Sequence, residues 1–181
     1  MIQTRRNVFE TNSSSTHSIA ISKAPVSVNG RHIHFYIGEF GWENDCVDTA
    51  DYLYTAILEQ DNHKELLDEL KEILDRHSIE YEFEDPVWHE SSVGNGVWLE
   101  YGYIDHSYEL REFLDIILSN EDLLMRYLFG NSCVYTGNDN QDPDPSGCNI
   151  ANEKYYDWDK REVVVNPYHD SVNYDYFFKE N

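Results

Sequence analysis

A run of hydroxyl and amide side chains with one imidazole lies near the start of the chain. Seven of the eight residues from Thr11 to Ser18 carry a hydroxyl or an amide, and the eighth is His17. The segment lacks the glycines and lysine of a phosphate-binding loop, and the chain has no Gly-x-Ser-x-Gly motif. Because such side chains usually bond the local backbone, we expect turns or caps here and predict no catalytic residue. The alternative is an enzyme that acts on a nucleotide or another phosphorylated substrate with Ser13–His17.

Two histidines share one face of a predicted strand, as metal ligands can. His32 and His34 lie two residues apart, which places both side chains on the same side of an extended chain. No third histidine, cysteine or carboxylate follows at a diagnostic spacing. We therefore expect both on the solvent-exposed side of a hairpin, and we predict no metal and no cofactor.

Residues 137–147 form an acidic segment that is rich in proline and glycine and has no periodicity, which predicts a loop. The spacing of its carboxylates matches the first ligand positions of a calcium-binding loop. However, prolines interrupt the pattern, and the required glycine and glutamate are missing. We predict instead that these acids contact the arginines of a partner protein; they are Asp139, Asp142 and Asp144.

Residues 79–85 alternate strictly between apolar and acidic side chains, which predicts a half-buried strand. Ile79, Tyr81 and Phe83 would face a core. Residues two apart in a strand are separated by about 6.6 Å, which is close to the spacing of phosphates along a nucleic-acid backbone. One interpretation is an ordinary solvated face. The other is that the acids stand in for phosphates; they are Glu80, Glu82, Glu84 and Asp85.

The net charge of −22 favours the second interpretation. Acids and bases balance within residues 1–45, so the whole excess lies after residue 45. Direct binding to DNA is not expected, because little basic surface is available to contact phosphates. Carboxylates interleaved with tyrosine and tryptophan suit arginine, whose guanidinium pairs with the acid and stacks on the ring. The charge therefore predicts a basic, nucleic-acid-binding protein as the partner, and solubility alone is the alternative.

Cysteine usage and hydropathy indicate the compartment. The three cysteines are far apart and form no Cys-x-x-Cys pair, which fits a reducing cytosol. No stretch approaches 18 apolar residues, and no apolar run follows the first arginines, so we expect neither a membrane span nor a signal peptide. The prediction is a cytoplasmic protein.

The order of the predicted elements favours a single α+β domain over residues 1–181, with a mixed or antiparallel sheet and about three to four helices packed on it. An Asn29-Gly30 turn predicts a hairpin across residues 18–37. A strand from Val97 should pair near Trp88. Apolar periodicity and capping residues predict helices over residues 49–60, 63–77, 108–119 and 121–129.

The opening Asn7-Val8-Phe9-Glu10-Thr11-Asn12-Ser13-Ser14-Ser15-Thr16-His17-Ser18 resembles the N-terminus of a group of small acidic proteins carried by phages and mobile elements of Gram-positive bacteria. In length and acidity the chain is similar to anti-CRISPR proteins that inhibit the type II RNA-guided DNA nuclease. The resemblance implies an inhibitor that binds the effector nuclease in the cytoplasm of a bacterial host cell and blocks DNA binding. Together with the charge and the acidic strand, it leads us to expect a non-enzymatic mimic of nucleic acid that binds a type II CRISPR effector with its guide RNA. A restriction enzyme is the alternative target.

Overall fold

Helices and strands interleave along the chain, which confirms the α+β prediction. The computed structural model describes residues 15–41, 45–90, 96–105, 107–138, 151, 153–157 and 159–179. Within these ranges the helices are α1 (Thr49–Leu58), α2 (His63–Arg76), α3 (Arg111–Ser119) and α4 (Glu121–Phe129), and a 3₁₀ turn (Ser107–Leu110) leads into α3. The strands are β1 (Ser15–Ser22), β2 (His32–Phe35), β3 (Glu39–Phe40), β4 (Asp45–Val47), β5 (Glu80–Phe83), β6 (Trp88–Glu90), β7 (Val97–Leu99), β8 (Tyr103–Ile104), β9 (Cys133–Asn138), β10 (Lys154–Asp157), β11 (Glu162–Val165) and β12 (Tyr174–Lys179).

Capping side chains set the first residues of two helices, as the sequence predicts. The Asp48 carboxylate accepts hydrogen bonds from the backbone N–H groups of Ala50 and Asp51 at the start of α1. The Asn120 side chain accepts one from the N–H of Leu123 at the start of α4. Each cap satisfies a donor that has no partner within the helix, so the helix begins at a defined residue.

The helices bury one continuous hydrophobic core. In α2 the buried side chains follow the predicted stripe, with Leu66, Leu70, Ile73 and Leu74 inward. Helix α1 is buried along nearly its whole length, because the other helices and the strands surround it. Among the described residues, no helix combines the length and the apolar character that a membrane crossing requires.

The largest sheet has the order β12-β1-β9-β4 with antiparallel neighbours. Strand β1 lies in its interior and buries Ile19 and Ile21 against the core. The prediction of a turn or cap segment over Thr11–Ser18 is therefore wrong for Ser15–His17, which belong to β1, whereas Ser18, the first residue of the predicted hairpin, is in a strand as expected. Their polar side chains do not prevent strand formation, because β9 and β12 satisfy the backbone donors and acceptors.

Strands β2 and β5 form a separate parallel pair, in which His32 lies opposite Glu80 and His34 opposite Glu82. The predicted hairpin over residues 18–37 is therefore wrong. The turn itself forms, because Gly30 has a φ of +67° and Arg31 N–H bonds the carbonyl of Val28 at 3.1 Å. The strands on either side of the turn separate, since β1 already has two partners in the large sheet.

Three further strand pairs complete the described structure: β3–β8 is parallel, and β6–β7 and β10–β11 are antiparallel. The pairing of Trp88 with Leu99 confirms the predicted contact between the strand from Val97 and the region of Trp88. Strand β9 extends through Gly137 and Asn138, so the first two residues of the predicted acidic loop are in a strand. Residues 139–147 lie outside the described residues.

Candidate functional site

The exposed side of the β2–β5 pair carries a row of rings beside a row of carboxylates. The rings belong to His32, His34 and Tyr36, and the carboxylates to Glu80 and Glu82. Because the parallel strands are in register and alternate every two residues, all five side chains project from one surface. This surface is called the outer face below.

Aromatic packing on the opposite side of the pair fixes the outer face in place. Phe35 is fully buried, and its ring stacks on that of Phe83 with centroids 4.5 Å apart. Tyr54 of α1 contacts both rings. This packing determines which side of each strand faces solvent, since a register shift of one residue would bring the glutamates into the core.

The rings of the outer face contact one another. The His32 and His34 centroids are 4.4 Å apart, and the Tyr36 ring stacks on His34 at 5.8 Å with an interplanar angle of 7°. The backbone N–H of Tyr36 donates to the carboxylate of Asp51 at 2.8 Å, which ties the end of the row to α1. Burial raises the pKa of Asp51, and its hydrogen bond to the Tyr36 N–H opposes that rise.

Glu82 lies between the two histidines. One of its carboxylate oxygens is 3.6 Å from Nε2 of His32, and the other is 3.4 Å from Nδ1 of His34. The Glu82 side chain is still 67% exposed. The sequence predicts both histidines on an exposed strand face, but Glu82 is missed as their neighbour because almost fifty residues separate it from them. The matching alternation of His-x-His and Glu-x-Glu is the one signal that pairs them.

The predicted partner-binding acids differ in what they contact. Glu80 and Asp85 are exposed and make no ion pair within the described residues. Glu84 is exposed, yet one of its carboxylate oxygens accepts a hydrogen bond from the backbone N–H of Ile37 at 2.8 Å. Glu84 therefore also secures the chain that follows β2.

The backbone near Glu84 is anchored to α1. The Tyr54 hydroxyl donates to the backbone carbonyl of Glu84 at 2.7 Å. Burial, together with the negative charges of Asp85 and Glu84, raises the pKa of Tyr54 to about 12. The hydroxyl therefore stays protonated as a donor across the physiological range. The other predicted contact residues, Asp139, Asp142 and Asp144, lie outside the described residues.

Helix α2 adds unpaired acids beside β5. Burial raises the pKa of Tyr81, as does its interaction with the Asp75 carboxylate, and the Lys71 ammonium lies 5.6 Å from the centre of the Phe83 ring. Three exposed acids on α2 have no ion pair in the part of the chain that the structure describes; they are Glu65, Asp68 and Glu69. Negative charge thus continues from β5 onto the neighbouring helix.

A second cluster of polar side chains lies in the interior. His17 is fully buried in β1, and its Nδ1 shares a hydrogen bond of 2.6 Å with the Tyr52 hydroxyl. Burial raises the pKa of Tyr52 and of Tyr127 well above 10.0. The Tyr127 hydroxyl has no hydrogen-bond partner within the described ranges. Of the Ser13–His17 segment, Ser13 and Ser14 lie outside the described residues, and His17 faces the core.

Comparison of the chain with protein-family models, with curated proteins and with solved structures finds no match in any of the three. No relative therefore assigns a role to the outer face or to the buried cluster.

Proposed function

We propose that the protein is a non-enzymatic inhibitor of a bacterial defence nuclease and that the outer face imitates a nucleic-acid strand. The proposed target is a type II CRISPR effector with its guide RNA, whose DNA binding the inhibitor would block. Such effectors hold nucleic acid in positively charged channels and read a short duplex element with arginines. The observation that carries the proposal is the row of exposed glutamates on β5 beside a parallel row of rings on β2.

The two rows match the two ways in which proteins bind a guanidinium group. A carboxylate accepts its N–H groups, and a planar ring stacks against its face. Glu80 and Tyr36 are exposed, and Tyr36 retains 53% of its accessible surface. The surrounding charge of −22 would draw a basic channel toward this face.

The first test is inhibition of guide-directed DNA cleavage by a type II effector at increasing salt. We expect inhibition at low ionic strength and a steep loss of affinity with salt, because exposed charges are screened within about 8 Å at physiological ionic strength. An affinity that does not change with salt would contradict the mimicry. A restriction enzyme assayed in parallel distinguishes the alternative target, since inhibition of that enzyme alone would assign the protein to anti-restriction.

The second test replaces Glu80, Glu82 and Glu84 with glutamine. Glutamine at position 84 keeps an oxygen that can accept the Ile37 N–H, so the strand should stay in place. A matched variant, Glu65→Gln with Asp68→Asn and Glu69→Gln, changes the net charge equally on α2 and leaves the rings and carboxylates of the outer face intact.

We expect the β5 variant to lose inhibition at least tenfold more than the α2 variant. A tenfold change corresponds to about 1.4 kcal/mol in binding free energy. Equal losses would mean that net charge alone acts. No loss from the β5 variant would show that this strand is ordinary solvated surface.

A further inference from the structure

The outer face holds a set of side chains that fits a metal ion, independently of any protein partner. His32, His34 and Glu82 each offer one ligand atom, and these three atoms lie within 4.8 Å of one another. Within the described residues this is the one such group of three. We propose that these residues form a binding site for a divalent transition-metal ion of the Zn²⁺ type.

Two nitrogen–oxygen distances in the group are close to those of zinc coordination. Zinc bound tetrahedrally at about 2.0–2.1 Å has ligand atoms about 3.3 Å apart. One Glu82 oxygen lies 3.4 Å from the His34 nitrogen, and the other lies 3.6 Å from the His32 nitrogen. The three side chains are exposed, so each is free to rotate toward one ion.

The chemistry of the three groups selects the ion. Two imidazoles with one carboxylate suit zinc, copper, nickel and cobalt, whereas magnesium and calcium prefer oxygen ligands throughout. Three protein ligands leave a fourth position of a tetrahedral ion for water or another ligand. The site is therefore open on its solvent side.

The surroundings favour a cation. Glu80 lies on the same face, two residues before Glu82, and no lysine or arginine within the described residues forms an ion pair with either of them. The Tyr36 ring stacked on His34 restricts the orientation of that imidazole. Because the ligands are already close together, little conformational entropy is lost when an ion binds.

The test treats the full chain with a chelator and then titrates it with zinc chloride alone. Isothermal titration calorimetry near neutral pH measures the binding. We expect one zinc site in each chain. The variants His32→Gln, His34→Gln and Glu82→Gln should each weaken zinc binding at least about tenfold.

The matched control, His89→Gln, removes a histidine that is paired with Glu100 at 2.8 Å and lies outside the group of three. This variant should not lower zinc affinity more than about threefold, since charges away from the ion are screened. Circular dichroism checks that each variant is folded.

Binding of Co²⁺ in place of Zn²⁺ allows the ligands to be identified by absorption spectroscopy. The absorption spectrum of bound Co²⁺ should indicate four-coordinate nitrogen and oxygen ligation, and it should change in His34→Gln but not in His89→Gln. Absence of zinc binding, or zinc binding that survives all three ligand replacements, would overturn the proposal. Zinc binding with failed nuclease inhibition would leave this site in place and remove only the proposed function.

Discussion

The histidines of the interior and those of the outer face both have oxygen partners, and the two environments differ in almost every other respect. In the interior, His17 is fully buried against the neutral hydroxyl of Tyr52 at 2.6 Å. On the outer face, His32 and His34 are exposed beside the charged carboxylate of Glu82. A charge is costly to bury, so the interior uses a hydroxyl, whereas the solvated face tolerates a carboxylate. The same residue type therefore stabilises the fold in one place and is available to a ligand in the other.

The largest expected effect is alkaline unfolding driven by the interior. Burial raises the pKa of Tyr52 and of Tyr127 well above 10.0, and it contributes to raising the pKa of Tyr54 to about 12. Below pH 10 the folded and the unfolded chain both keep the protons of these hydroxyls, so the tyrosines contribute their full stabilisation there. Above pH 10 the unfolded chain loses protons that the folded chain retains, and the free energy of unfolding falls by about 1.4 kcal/mol per pH unit for each such tyrosine.

Urea unfolding between pH 8 and pH 12 measures this loss. Tyr127→Phe should show a shallower decline above pH 10, because one of the buried hydroxyls is missing. If stability did not change over this range, the interior hydroxyls would be accessible to solvent and the contrast between the two regions would disappear.

The next largest effect distinguishes the contributions of the Tyr52 and Tyr127 hydroxyls to the free energy of unfolding. Tyr52→Phe removes the partner of His17 Nδ1 and should cost about 1–3 kcal/mol. Tyr127→Phe removes a hydroxyl without a hydrogen-bond partner among the described residues, so the free energy of unfolding should stay unchanged or rise. Thermal unfolding checks the pair, since 1 kcal/mol corresponds to about 2–4 °C for a chain of this size. A larger loss in Tyr127→Phe than in Tyr52→Phe would contradict this assignment.

The smallest effect is expected on the outer face. With a chelator present, His32→Gln and His34→Gln should each change the free energy of unfolding by less than about 0.5 kcal/mol, because exposed ion pairs contribute little. Chemical denaturation at pH 7 measures the change. A loss above about 1 kcal/mol would show that these rings support the fold as the buried His17 does.

Local signals in the sequence predict the helices well. The apolar stripe of α2 and the capping residues Asp48 and Asn120 act within a few residues of one another, so a short window contains the whole interaction. The alternation around β5 likewise predicts which side chains are exposed, and the structure confirms it for Glu80 and Glu82.

Strand pairing is not predicted by local signals. The Asn29-Gly30 turn forms, yet β2 pairs with β5 and β1 pairs with β9 and β12. These choices depend on the burial of whole faces against α1 and α2, which no short window contains. For the same reason the sequence does not reveal that Glu82 meets His32 and His34, or that His17 is buried.

The arrangement of the largest sheet also bears on how the chain folds during synthesis. Strand β1 leaves the ribosome early, but one of its neighbours begins at Cys133 and the other at Tyr174. Until β9 has been translated, the apolar side chains of β1 have no sheet to join, and until β12 has been translated, one edge of β1 lacks its strand partner. Sheets built from such distant segments fold slowly. An unpaired edge and exposed apolar side chains favour aggregation, so the nascent chain should benefit from chaperones until β12 has been translated.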